Sequence, residues 1–196
     1  MSHELKQPLN LIQINAELLT RLPDARSIAS VMRIGQTLQR AVSAQNKIVN
    51  DLLDLSRIQT GKLSLAYEDV DLLELTRMLG QAQAEHLESK GVGFTMTLGD
   101  PPIVGHCDRV RVEQIVGNLL GNAAKFTPPG GRVSLDLQED GNCVTWSISD
   151  TGNGIAPEFL PHVFEMFSQA SQSVARGEAS HGGFGIGLAL VDELTR

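Results

Sequence analysis

Apolar residues recur at alternating intervals of four and three through the first third of the chain, and no other feature narrows the possible folds as much. Leu5, Leu9, Ile12, Ala16 and Leu19 form one such seam, the mark of a helix packed against other helices. Pro23 and Asp24 stop it, and a second helix is expected over 25–59. There Ile34, Leu38, Ala41, Gln45, Ile48, Leu52 and Leu55 continue the spacing, with Gln45 the one polar member. Each helix carries a second apolar stripe: Leu11, Ile14 and Leu18 on the first, Val42, Val49 and Leu53 on the second. A helix with two stripes needs more than one neighbour to cover them. A lone hairpin supplies only one, so residues 1–61 are expected to pair with a second copy and close a four-helix bundle. At about 1.5 Å per residue the second helix spans about 50 Å and the first about 30 Å. The shorter helix leaves Ile48, Leu52 and Leu55 without an intrachain partner, so a helical segment upstream of the chain is expected.

From Lys62 the pattern turns mixed. Strands are expected at 63–67, 92–98, 103–106, 132–138 and 143–150, and helices at 72–89, at 109–126 with Asp108 as N-cap, and near Pro157. Glu139-Asp140-Gly141-Asn142 reads as a hairpin turn, and Gly182 to Gly187 open a last helix. The charge changes at the same place. Residues 1–61 carry seven Lys/Arg and five Asp/Glu, whereas residues 62–196 carry nine and eighteen. A net charge of -7 and only eight aromatic residues argue against a nucleic-acid partner. No apolar run approaches the roughly 20 residues of a membrane span. Met1-Ser2-His3-Glu4 carries no secretion signal, so a cytoplasmic location without membrane contact is expected of this chain. Cys107 and Cys143 lack CxxC spacing and are expected to be free thiols in the core.

Four blocks carry chemistry. His3-Glu4-Leu5-Lys6-Gln7-Pro8-Leu9 places an imidazole outside both apolar stripes of the first helix. There a neighbouring carboxylate can orient one ring nitrogen and leave the other free to attack. Asn118, Asn122 and Lys125 fall at intervals of four and three and so share one helix face. Neutral oxygen donors and an ammonium on one face suit a hydrated magnesium ion carrying phosphates. Asp150-Thr151-Gly152-Asn153-Gly154 sets a carboxylate and open backbone at a strand end. Gly183, Gly185 and Gly187 precede a helix and form an anion cradle of N–H groups.

In this order the four blocks resemble the sensor histidine kinases of bacterial two-component signalling, over essentially the whole chain. His3 to Leu9 is similar to the H box, Asn118 to Phe126 to the N box, and Asp150 to Ile155 to the first glycine box. Phe164 to Phe167 resembles the F box and Gly183 to Gly187 the second glycine box. The resemblance implies an α+β chain: a dimerising helical hairpin over 1–61, a hinge at 62–66, and a GHKL (Bergerat) α/β sandwich binding ATP over 67–196. The family usually adds further strands beyond the last helix, so a C-terminal continuation is expected. By the same resemblance His3 is the phosphoacceptor and Glu4 its orienting or proton-accepting neighbour, and Gln7 stands where the family often has a water-positioning Thr or Asn. Asn122 is implied as the Mg2+ ligand with Asn118 nearby, Lys125 neighbours the phosphates, and Asp150 accepts from the adenine amino group. Gly152, Gly154, Ile155, Phe167, Gly183, Gly185, Gly187 and Leu188 are implied to shape the ATP pocket, with residues 168–181 as its lid. The implied partners are a second copy and the receiver domain of a response regulator. A GHKL-type ATPase would carry a Glu general base four residues before the metal-binding Asn. This chain has Asn118 there, whose amide cannot take a proton.

Overall fold

A computed structural model describes residues 11, 12, 14, 15, 28–99, 102–169 and 184–196. His3, Glu4, Gln7, Gly183, most of the first helix and residues 170–181 of the lid lie outside them. The chain divides into two units, Met1–Gly61 and Lys62–Arg196.

In the first unit, helix α1 (Ile28–Gln59) follows from the seam. Ala41, Ile48 and Leu55, seven apart, are buried. The second stripe behaves oppositely: Val42, Val49 and Leu53 stand 42–49% exposed, and Leu11 and Ile14 are exposed as well. A single chain therefore leaves an apolar stripe uncovered. Gln45 pays for its place in the seam, since its amide oxygen is buried with no hydrogen-bond partner among the described residues.

The second unit runs β1 (Glu68–Asp71), α2 (Leu72–Ser89), β2 (Gly93–Leu98), β3 (Val104–Cys107), α3 (Arg109–Phe126), β4 (Arg132–Asp140), β5 (Cys143–Asp150), a 3-10 turn (Leu160–His162) and α4 (Gly187–Thr195). Strands β1 and β3 pair antiparallel, while β2 lies parallel to β4 and β4 antiparallel to β5. The period-two pattern sets which face is buried. On β4, Val133, Leu135 and Leu137 are buried, and on β5, Trp146 and Ile148 pack inward while Thr145, Ser147 and Ser149 face solvent. Helices α2 and α3 cover the apolar face through Leu79, Leu87, Val116, Leu120, Ala123 and Ala124. A fully buried Leu contributes about 1.5–3 kcal/mol, so this layer holds the sheet against the helix that carries the site. Both long helices start on an aspartate. Asp71 accepts from Glu74 N at 2.9 Å, and Asp108 accepts from Arg111 N at 3.2 Å and from Ala66 N at 2.9 Å.

Three expectations need correction. The strand expected at 63–67 forms instead at Glu68–Asp71. Val70 is its one buried residue, opposite Gly105, whereas Tyr67 is exposed and stacks on the His106 ring at 5.7 Å. The hairpin turn falls one residue later, because β4 runs on to Asp140 opposite Cys143 and leaves Gly141-Asn142 as a two-residue loop. Gly141 takes φ +62° there, a value that glycine adopts without strain. Both thiols are free, and Cys107 packs half-buried against the core, but Cys143 is exposed and is not the core residue expected. Burial, then the neighbouring charges of Asp108 and Glu68, raise the pKa of Cys107 above its ordinary value.

Candidate nucleotide-binding site

Helix α3 is the spine of the site. Asn118 and Gly187, on facing elements, meet where Asn118 Nδ2 donates to Gly187 O at 3.5 Å, which fixes the start of α4 against the middle of α3. Asn118 is buried; Asn122, one turn on, and Lys125 are half-buried. The Lys125 ammonium lies 4.4 Å from the centre of the Phe126 ring, and burial lowers its pKa from the ordinary 10.5. Desolvation disfavours an ammonium, and the face of an aromatic ring offsets part of that cost.

The loop after β5 closes on the end of this helix. Asp150 Oδ1 accepts from Gly152 N at 2.8 Å, and Asn153 N donates to Phe126 O at 3.3 Å. A Cβ on Gly152 would stand 2.6 Å from Phe126 O and 2.7 Å from Asp150 Oδ1, so only glycine lets the loop come this close. Thr151 ties the same loop to β4, accepting from Arg132 N through Oγ1 at 2.9 Å. Gly154 follows at φ +66° and Ile155 is exposed.

The second glycine block is fixed by a backbone crossing. Phe167 N donates to Gly185 O at 2.9 Å, with Phe167 at φ +64° and Gly185 at φ +67°. A Cβ on Gly185 would lie 2.6 Å from Ser168 O. The structure thus gathers Asn118, Gly187, Gly152 and Asn153 on α3 and joins Phe167 to Gly185, while Leu188 is half-buried in the first turn of α4.

Amide oxygens are hard neutral donors that suit Mg2+, an ion that keeps several waters and takes few protein ligands. A Cβ added at Gly117 or Gly121, on α3 beside Asn118 and Asn122, would meet nothing within 4 Å, so there is open space along the helix. Among the described residues no three His, Cys, Asp or Glu side chains could hold a metal together. An ion here would rest on an amide oxygen, water and substrate phosphate, and the residues present fit that.

Residues 1–61 match the family model of the His Kinase A (phospho-acceptor) domain, and residues 107–196 that of the histidine kinase-, DNA gyrase B- and HSP90-like ATPases. Hybrid signal transduction histidine kinase D of Dictyostelium discoideum is 33% identical over 198 residues, covering 98% of this chain and 12% of that protein. Full-length ShkA, solved in complex with AMPPNP, is 28% identical with a TM-score of 0.69, covering 99% of this chain and 39% of that one. The mycobacterial sensor histidine kinase MprB is 32% identical with a TM-score of 0.53, covering 66% of this chain and 78% of that one. The chain belongs to the histidine kinase family. It spans between 11% and 38% of the length of the curated histidine kinases it matches. No helix among its described residues is long and apolar enough to cross a membrane.

In this histidine kinase chain, sequence reasoning missed the residues that lock the site from behind. Thr127 caps α3, donating through both N and Oγ1 to Ala123 O, and Thr151 pins the glycine loop to the sheet. The Thr-Pro step at 127–128 was the one local signal, since a threonine before a proline fits a helix end.

Proposed function

We propose that the chain is the phosphotransfer and catalytic core of a two-component sensor histidine kinase, autophosphorylating on His3 from ATP. In this reading a ring nitrogen of His3 attacks the γ-phosphorus, the bond to the β–γ bridging oxygen breaks, and ADP leaves with that electron pair. Glu4 takes the proton or hydrogen bond of the other ring nitrogen, and Gln7 can hold water beside it. The phosphoryl group then passes to an aspartate on a response-regulator receiver domain. Asn122, with Asn118 nearby, would hold Mg2+, which when bound draws charge from the phosphates. Lys125 and N–H groups of the glycine loops would offset the phosphate charge, with Gly152, Gly154, Gly183, Gly185 and Gly187 shaping the pocket. Asp150 accepts from the adenine amino group, and Ile155, Phe167 and Leu188 supply apolar contacts. A homodimer through residues 1–61, working in the cytoplasm, completes the reading. The exposed stripe of Val42, Val49 and Leu53 supports it, because a second copy would cover that stripe.

One observation carries the nucleotide half: Gly152 and Gly187 meet the same helix that bears Asn122 and Lys125, and Gly152 does so where no larger residue fits. The test is titration of ATP into the chain with and without magnesium. Asn122→Ala is expected to remove magnesium-dependent binding while the fold persists; binding equal to wild type would overturn the assignment.

A further inference from the structure

Lys90, the residue that ends α2, reaches the other helix of the site with its side chain. Its Nζ donates to Ala124 O at 2.6 Å and to Lys125 O at 3.1 Å. Those carbonyls belong to the last turn of α3, where backbone acceptors have no partner inside the helix. The rest of the turn is already closed, Ala123 O by Thr127 and Phe126 O by Asn153 N. Lys90 takes the two that remain. Its own N–H bonds back to His86 O and Leu87 O, so one residue ends α2 with its backbone and α3 with its ammonium. Hydrogen bonds from an ionised donor are about twice as strong as neutral ones, and a cation at a helix C-terminus also meets the negative end of the dipole.

This turn is where the site is built. Lys125 stands on it and Asn122 directly before it, and its last carbonyl meets the loop that carries Asp150, Gly152 and Gly154. We propose that Lys90 is a positioning residue for the nucleotide, holding the last turn of α3 so that Asn122, Lys125 and the 150–154 loop keep the register that Mg-ATP requires. The inference rests on the nucleotide-site reading above. With its ammonium committed to two helix carbonyls, Lys90 acts through the backbone of α3.

Calorimetric titration of Mg-ATP into the whole chain tests this, run on wild type, Lys90→Met and Lys90→Arg at a temperature where melting curves show each folded. Lys90→Met is expected to weaken Mg-ATP binding on the order of tenfold, the low end of what losing the support behind a ligand costs. Lys90→Arg, which keeps the cation and several donors, is expected to restore affinity close to wild type. Autophosphorylation should show the loss in KM for ATP, with kcat at saturating ATP largely kept. A folded Lys90→Met with wild-type affinity and only a lower melting temperature would overturn the inference, reducing Lys90 to a helix cap. If Lys90→Met does not fold, Lys90→Gln, with a shorter neutral donor, takes its place under the same two outcomes. A wild-type chain that binds no Mg-ATP would overturn the nucleotide reading itself and this inference with it.

Discussion

The glycines at 152 and 185 show how much a single residue decides. A methyl group at position 152 would sit 2.6 Å from Phe126 O, and one at 185 equally close to Ser168 O on a backbone at φ +67°. Both neighbours are backbone atoms that cannot swing aside. Gly152→Ala is expected to destabilise the fold by about 1–3 kcal/mol, in the range of overpacking, and to weaken ATP binding further by pushing the loop from α3. Denaturant melts and titration read the two effects separately, and unchanged values in both would contradict the close approach. Lys125 gives a pH test. Its folded-state pKa lies below the ordinary 10.5, so the ammonium proposed to attract phosphate is lost at a lower pH than an unperturbed lysine would lose it. Affinity for ATP should therefore fall early on the alkaline side in wild type and stay flatter in Lys125→Arg; the two falling together would contradict a role for this ammonium. For stability the sign is opposite. Below both values the buried charge costs the fold, and that cost is relieved as pH rises from the folded value towards 10.5. The sequence marked positions 118, 122, 125, 150, 152 and 185 by residue type and spacing. It did not show what keeps 152 a glycine, because Phe126 O arrives through folding rather than through any local pattern.

At the scale of elements, periodicity was legible wherever one face is buried along a whole element. Helices α2 and α3 form over the residues expected, α3 on its Asp108 cap, and β4 and β5 alternate as expected. The strand β1 was misplaced because only four residues pair and one is buried. Leu63, Leu65 and Tyr67 alternate more convincingly than Glu68-Asp69-Val70-Asp71, yet it is the hydrogen-bond register with β3 that forms the strand. Lys90 had no signal at all, since a lysine after a helix is ordinary until another helix end is found beside it. Helix α1 gives two element-scale expectations. Gln45 buries an amide oxygen without a partner among the described residues, so Gln45→Leu should stabilise the fold by the roughly 1–3 kcal/mol that an unsatisfied buried group costs and raise the melting temperature. A lower melting temperature would mean that a second copy satisfies the amide. Val49→Glu puts a charge in the exposed stripe and is expected to shift the chain towards monomer in sedimentation, with helix content kept; an unchanged dimer would move the interface elsewhere.

Across the whole molecule, the chain divides into two compact units, and they are expected to respond separately to ligand. Trp146 is the one tryptophan and packs in the second unit, where its indole N–H donates to Thr76 Oγ1 at 2.8 Å. Its fluorescence therefore reports on the α/β unit in which it packs. Mg-ATP at about 100 times Kd should stabilise the transition it reports by about 2.7 kcal/mol. A melt of Trp146 insensitive to nucleotide would place the nucleotide elsewhere. Phosphotransfer to His3 is tested most directly by incubating the chain with γ-labelled ATP and magnesium and following where the label goes. Label is expected on the protein, lost in acid, kept in base, and absent from His3→Ala even though that variant still binds ATP. Label that survives acid, or that His3→Ala retains, would contradict it.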